Sequence, residues 1–235
     1  MIKPQLKPTA DQTFVIVADE KDRDWNFADI IAYSRRQEQE GDIEGACNTR
    51  FHAFQRLEEL IPDNGETILE WNDQNSQAAL VLIHCSAIDH FLIGDWEMCA
   101  AMLEMLLELD PEDHLEATIR LAYSYLAMEE YDSFDDIAND ISDKFADKEI
   151  LTLWSAFRRT GQLPVGEVHG FCKRFRPYYN EFTADEHPVD DDYIRDVDSE
   201  NPRPETLARE LWLQTEHLWS IFPGFIEALK AAPVA

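Results

Sequence analysis

Between Leu80 and Asp140 one order of signals occurs twice, and it commits this part of the chain to pairs of antiparallel helices. The first pass is an apolar run to Ile93, a turn at Gly94-Asp95-Trp96, and a stop at Leu107-Glu108-Leu109-Asp110-Pro111-Glu112-Asp113. The second runs through Leu121-Ala122-Tyr123-Ser124-Tyr125-Leu126-Ala127-Met128 and turns at Glu129-Glu130-Tyr131-Asp132. Within the first pass, Trp96, Cys99, Ala100, Leu103, Leu106 and Leu107 keep the i, i+3, i+4, i+7 rhythm of one buried helical face. Leu115, Ile119, Ala122 and Leu126 do the same, and a partner helix is predicted over Tyr131 to Phe145 with Phe134, Ile137, Ile141 and Phe145 in phase.

The rest of the chain agrees with helix. Only 8 of 235 residues are Gly and β-branched runs are scarce. Hydrophobic residues make up 45%, which places the chain among globular sequences. The formal net charge is −28. Such a field repels nucleic acid and anionic membranes at long range and favours basic partners, although acidic helix faces are more often simply solvated. No apolar run approaches the roughly 20 residues of a membrane helix, and Met1-Ile2-Lys3-Pro4 begins no signal region. The four cysteines, Cys47, Cys85, Cys99 and Cys172, form no CxxC pair and read as free thiols in a reducing cytoplasm.

The Gly-Asp-aromatic turn, the small residues Cys99 and Ala100, the large apolar Leu103 and Leu106, and the Asp110-Pro111 stop follow the order of the tetratricopeptide family, whose unit is a helical hairpin of about 34 residues. The chain resembles that family well over Leu80 to Asp140, loosely over Phe27 to Asn64, and barely in its last third. The resemblance implies an all-α fold: antiparallel hairpins stacked as a short right-handed solenoid with a C-terminal helical cap. It also implies a groove lined by the first helices of successive repeats. Here that groove would run from Ile31 to Arg35, from His84 to His90 and from Thr118 to Tyr125, with Tyr33, His84, Ile88, His90, Arg120 and Tyr123 as its candidate contacts.

Four regions are expected. Residues 1–24 form an extended N-terminal arm in which Thr13 to Ala18 is the one strand-like run. Residues 25–182 form the repeat domain. Its first hairpin pairs a helix over Trp25 to Glu40, with Ile30, Ile31, Tyr33 and Ser34 inward, and a helix over Ile43 to Leu60. From Gly41 to Pro62 this hairpin is four residues longer than from Gly94 to Pro111, about one extra turn. Gly65 to Ser76 is either a short helix or a loop. Lys148 to Arg159 and Gly166 to Phe182 are further helices, the latter interrupted at Pro177. Residues 183–204 form an acidic linker, and 205–235 the capping helices.

Few constellations suggest chemistry. His169 and Cys172 could share a helical face, but a structural zinc site needs a second such pair. Asp22, Asp24 and Asn26, and again Asp196, Asp198 and Glu200, alternate as in a calcium loop, yet the required Gly and Glu positions hold other residues. No nucleophile elbow or phosphate-cradling glycine loop occurs. One basic cluster stands out: Arg158, Arg159, Lys173, Arg174 and Arg176, interleaved with Phe171, Phe175, Tyr178 and Tyr179. These cations are expected to neutralise the acidic segment Asp185 to Glu200. Docking of an acidic peptide or of single-stranded nucleic acid are the alternatives.

The expected function is a non-catalytic cytoplasmic interaction module, without cofactor, whose partner is an unidentified protein or peptide of basic character. A homodimer is compatible with the sequence. An enzyme on a helical-repeat scaffold and an acidic imitation of nucleic acid are the alternative readings.

Overall fold

A computed structural model describes residues 3–19, 22–62 and 65–233. It begins with strands, not with an isolated arm. Strand β1 (Gln5–Ala10) pairs antiparallel with β2 (Thr13–Val17), from Gln5 opposite Val17 to Ala10 opposite Thr13. The turn between them is closed by Gln12 at φ +57°. Strand β3 (Ile68–Leu69) joins β2 in parallel. The expectation of one extended run over Thr13 to Ala18 is therefore corrected to a three-stranded sheet. Pro8 is accommodated because β1 is an edge strand, where a missing N–H costs no ladder bond. β3 also resolves Gly65 to Ser76, which contains a strand and the start of a helix.

Twelve α-helices follow among the described residues, and the chain is mostly helical. Helix α1 (Phe27–Gln39) and α2 (Ile43–Leu60) make the first hairpin; α3 (Gln74–Leu92) and α4 (Trp96–Leu109) make the second. Both hairpins turn on a glycine at positive φ, Gly41 at +84° and Gly94 at +79°. In each, the next residue is an aspartate that caps the following helix: Asp42 accepts from Gly45 N–H (3.0 Å) and Asp95 from Met98 N–H (3.3 Å). Glycine takes the left-handed conformation without strain, and aspartate satisfies an orphan donor of the new helix.

Asn75 and Arg50 fix the order of these helices in space. At one end, Phe27 N–H donates to Asn75 Oδ1 (3.3 Å), so α1 and α3 start together. At the other, the Arg50 guanidinium of α2 reaches Glu38 of α1 and Asp89 of α3. α1 and α3 thus run parallel, and both glycine turns lie at the same end.

The chain divides into two compact units, Met1–Ser124 and Tyr125–Ala235, with the division inside α5 (Ala117–Met128). The core of the first unit contains Phe27, Leu57, Leu80, Leu82, Ile83, Phe91, Met102 and Leu103. Burial at Leu80, Leu82 and Ile83 occupies more than one side of α3, as expected of a helix enclosed by neighbours. Ala122 of α5 is wholly buried.

The second unit holds α6 (Tyr131–Ile137), α7 (Ala146–Thr160), α8 (Val165–Arg174), α9 (Arg176–Phe182), α10 (Asp191–Val197), α11 (Pro204–Ile221) and α12 (Pro223–Ala231). Its core is aromatic. Trp154 and Trp219 meet edge to face at 5.2 Å, as do Phe182 and Trp212. Two expectations change in this unit, and a third is refined. The helix predicted over Tyr131 to Phe145 stops at Ile137. Asp135, Asp136 and Asp140 oppose the negative end of its dipole, and Asn139 and Ser142 compete for backbone hydrogen bonds, so the apolar phase alone does not carry it further. The interruption expected at Pro177 in the segment from Gly166 to Phe182 is present, but the break falls at Phe175, because Pro177 sits in the first turn of α9, where a proline is tolerated. The acidic linker contains α10, capped by Asp190, which accepts from Tyr193 N–H (2.8 Å).

Candidate interaction surface

The residues that the resemblance assigned to a groove are distributed over the first unit in two groups. Arg120 and Tyr123 come together around Phe91, and His84 lies within range of the Arg120 charge. The Arg120 guanidinium lies 5.2 Å from the Phe91 ring centre and 5.8 Å from that of Tyr123. Burial, reinforced by the neighbouring Arg120 charge, pushes the His84 imidazole below its ordinary value. His84 is held neutral there, a hydrogen-bonding group more than a charge. Ile88 is half-buried one turn further along α3. His90 belongs to a second group, its ring 5.3 Å from Phe51 and its Nδ1 3.0 Å from Asp95 Oδ2. Two assignments are corrected. Tyr123 is wholly buried, so it is part of the core and has no surface to offer a peptide. Tyr33, read as inward-facing, is 51% exposed on α1, because the buried stripe of that helix is Phe27, Ile30, Ile31 and Ser34.

The basic cluster is likewise corrected. Arg158 donates to Glu129 Oε1 (2.9 Å) and lies 4.4 Å over the Phe222 ring. Arg159 donates to Asp135 Oδ1 (2.6 Å) and lies over Tyr131. Arg174 pairs with Glu149 (3.2 Å). Among the described residues, none of the five cations pairs with Asp185 to Glu200, and Lys173 and Arg176 are exposed without an ion pair. The acidic segment has other partners: Lys230 for Asp185, Arg195 for Asp192 and Arg203 for Asp196. Nearness in sequence misleads here because packing brings the end of α7 beside Glu129 and Asp135 of the preceding hairpin, and the end of α8 beside Glu149 of α7.

Two groups escaped the sequence reading. The first centres on Arg50, which is 5% exposed. Its Nε and Nη2 donate to the two carboxylate oxygens of Asp89, each at 2.7 Å, and its Nη1 donates to Glu38 (2.6 Å) and Ser34 (3.3 Å). These partners hold the guanidinium well above its ordinary value against the opposing effect of burial. The Cys47 thiol accepts weakly from Nη2 at 3.8 Å. Burial, with the nearby Asp89 charge, raises its pKa. A sequence signal existed: Arg50 sits in the apolar stripe Ala46, Ala53, Phe54, Leu57. The second group is a pair of histidine-tryptophan stacks, His114 on Trp71 (4.3 Å) and His187 on Trp212 (4.0 Å). Each imidazole also meets a carboxylate at 2.7 Å, Asp110 and Glu181 respectively. No local pattern announces these long-range stacks.

The end of the first unit that carries both glycine turns is apolar and acidic. Ile43 is 56% exposed, Leu92 49% and Ile93 75%. Glu40, Asp42, Glu44, Asp95 and Glu97 are exposed beside them in sequence. Among the described residues no three His, Cys, Asp or Glu side chains converge to hold a metal ion, and no helix is long and apolar enough to cross a membrane. No protein-family model, no curated protein and no solved structure matches the chain.

Proposed function

We propose that this protein is a non-catalytic interaction module of the cytoplasm, built on tetratricopeptide-like hairpins and holding a protein or peptide partner. The observation that carries the reading is the repetition in the first unit. α1 and α3 run parallel, and each is followed by an antiparallel partner after the same glycine-aspartate turn. Repeated hairpins bury their shared faces against one another and leave side chains of successive first helices in a row, a geometry suited to holding extended or helical segments. His84 and Arg120 supply polar contacts in that row, and Ile88 an apolar one.

Affinity capture from native lysate tests the reading, with wild type beside His84→Glu and Arg120→Glu. The expected result is one stoichiometric protein partner, retained by wild type and lost from both variants. Failure of wild type to hold any protein partner sinks the proposal. A partner that binds DNA and is released by moderate salt would instead favour the acidic surface as an imitation of nucleic acid.

A further inference from the structure

We propose that the turn-bearing end of the first unit docks a short basic amphipathic helix, with Ile43, Leu92 and Ile93 as the apolar floor and Glu40, Glu44 and Glu97 as the charged rim. This rests on the interaction-module reading and names the partner's chemistry at a place separate from the His84–Arg120 row.

The geometry comes from Arg50. By binding Glu38 near the end of α1 and Asp89 near the end of α3, it holds those two helix ends together. Ile43 opens α2 at this end, and Leu92 and Ile93 close α3. A turn of this kind asks only for glycine and a capping aspartate. Two consecutive large apolar residues before Gly94, and a third after Asp42, serve no cap and are not covered by the fold. Exposed apolar groups gathered at one place mark an interaction site.

Charge selects the occupant. Asp42 and Asp95 are engaged as helix caps. Glu40, Glu44 and Glu97 are exposed and form no ion pair among the described residues. The nearest exposed arginines in sequence, Arg35 and Arg36, lie about a turn back on α1, with Arg36 over the Tyr33 ring. An apolar floor with an acidic rim complements a helix that carries leucine-like residues at i, i+3 and i+4 and lysine or arginine on its flanks. Anionic lipid and nucleic acid are repelled by the same rim. A second copy is disfavoured too, since a two-fold interface would set Glu40, Glu44 and Glu97 against their own counterparts.

The probe is a labelled Leu/Lys amphipathic peptide of about 14 residues, about four helical turns, read by fluorescence anisotropy at low and moderate salt. A scrambled peptide of equal composition controls for bulk charge. Wild type is expected to bind the amphipathic peptide about tenfold or more tightly than the scrambled one. Ile93→Asp combined with Leu92→Asp should lose that preference although it adds negative charge, which makes its sign opposite to that of a purely electrostatic effect. Glu44→Lys with Glu97→Lys should weaken binding and flatten its salt dependence. Ile221→Asp, an equally exposed apolar site in the second unit, should change nothing, and circular dichroism confirms that each variant is folded. Equal binding of both peptides overturns the proposal, as does wild-type affinity in the Leu92/Ile93 variant. So does a wild-type dimer, seen in sedimentation, that Ile93→Asp dissociates. If the turn end binds no amphipathic peptide while Arg120→Glu abolishes capture of the native partner, this inference falls and the groove reading stands.

Discussion

Arg50 shows how one residue can be conspicuous in the structure and quiet in the sequence. Its guanidinium is buried, bidentate to Asp89, and bound to Glu38 and Ser34, so three helices depend on it. Removing one partner of a buried pair leaves the other charge desolvated, which costs about 3–5 kcal/mol. Arg50→Ala is therefore expected to lower the unfolding free energy by that order, read as a lower urea midpoint. Arg50→Met with Asp89→Leu should recover most of the loss, because the cost lies in the orphaned charge more than in the missing attraction. Urea unfolding of both variants and of each single change checks this, and a double variant as unstable as Arg50→Ala would contradict it. Cys99 supplies a second prediction. It is wholly buried, and burial pushes its thiol up to about 11 despite the hydrogen bond from Ser124 Oγ (3.3 Å). The thiolate is the reactive form. Peptide mapping after iodoacetamide treatment of the native protein near pH 8 should find Cys99 unmodified, and labelling should appear on denaturation.

Helix phase and turn positions were legible element by element. α2 spans the residues its pattern predicted, and α4 fits within its predicted bounds. Ala122 falls at the close-packed position of α5 with no exposure. Ala122→Phe is expected to cost about 1–3 kcal/mol through overpacking, and an unchanged midpoint in chemical denaturation would show the packing to be looser than the structure has it. The elements that were not legible depend on distant contacts. β1 falls in what read as an extended arm until β2 pairs with it, and α6 loses its last turns to acids at its carboxyl end. The loop between α4 and α5 depends on a similar distant contact. There His114 rests on Trp71 and meets Asp110, whose hydrogen bond and charge hold the imidazole above its ordinary value of 6.5. The protonated form is favoured by folding, so this contribution is fully present below pH 6.5 and is lost as pH rises through the higher folded value. Wild type should exceed His114→Gln in melting temperature near pH 6, and the gap should narrow as pH rises above the ordinary imidazole value. A gap that widens with pH would refute the assignment.

On the scale of the whole molecule, a net charge of −28 acts on everything at once. Like charges repel in the folded state, where they are closer together than in the unfolded chain. Raising sodium chloride from about 0.05 to 0.5 M shortens the screening length from more than 10 Å to a few Å. The melting temperature should rise with it, and a fall would mean that the surface ion pairs outweigh the repulsion. The amino-acid sequence by itself determined what nearest neighbours can decide: helical phase, glycine-aspartate turns, the break forced by Pro177, and an acidic surface. These follow from backbone sterics, local hydrogen bonds and composition, all of which act over a few residues. Only the tertiary structure decided which helix end meets which. It chose Glu129, Asp135 and Glu149 over the nearby acidic segment as partners for Arg158, Arg159 and Arg174. It also buried Tyr123, exposed Tyr33 and gathered Ile43, Leu92 and Ile93 at one end. Coulomb attraction and apolar burial depend on distance in space, and that distance is set once the helices have packed.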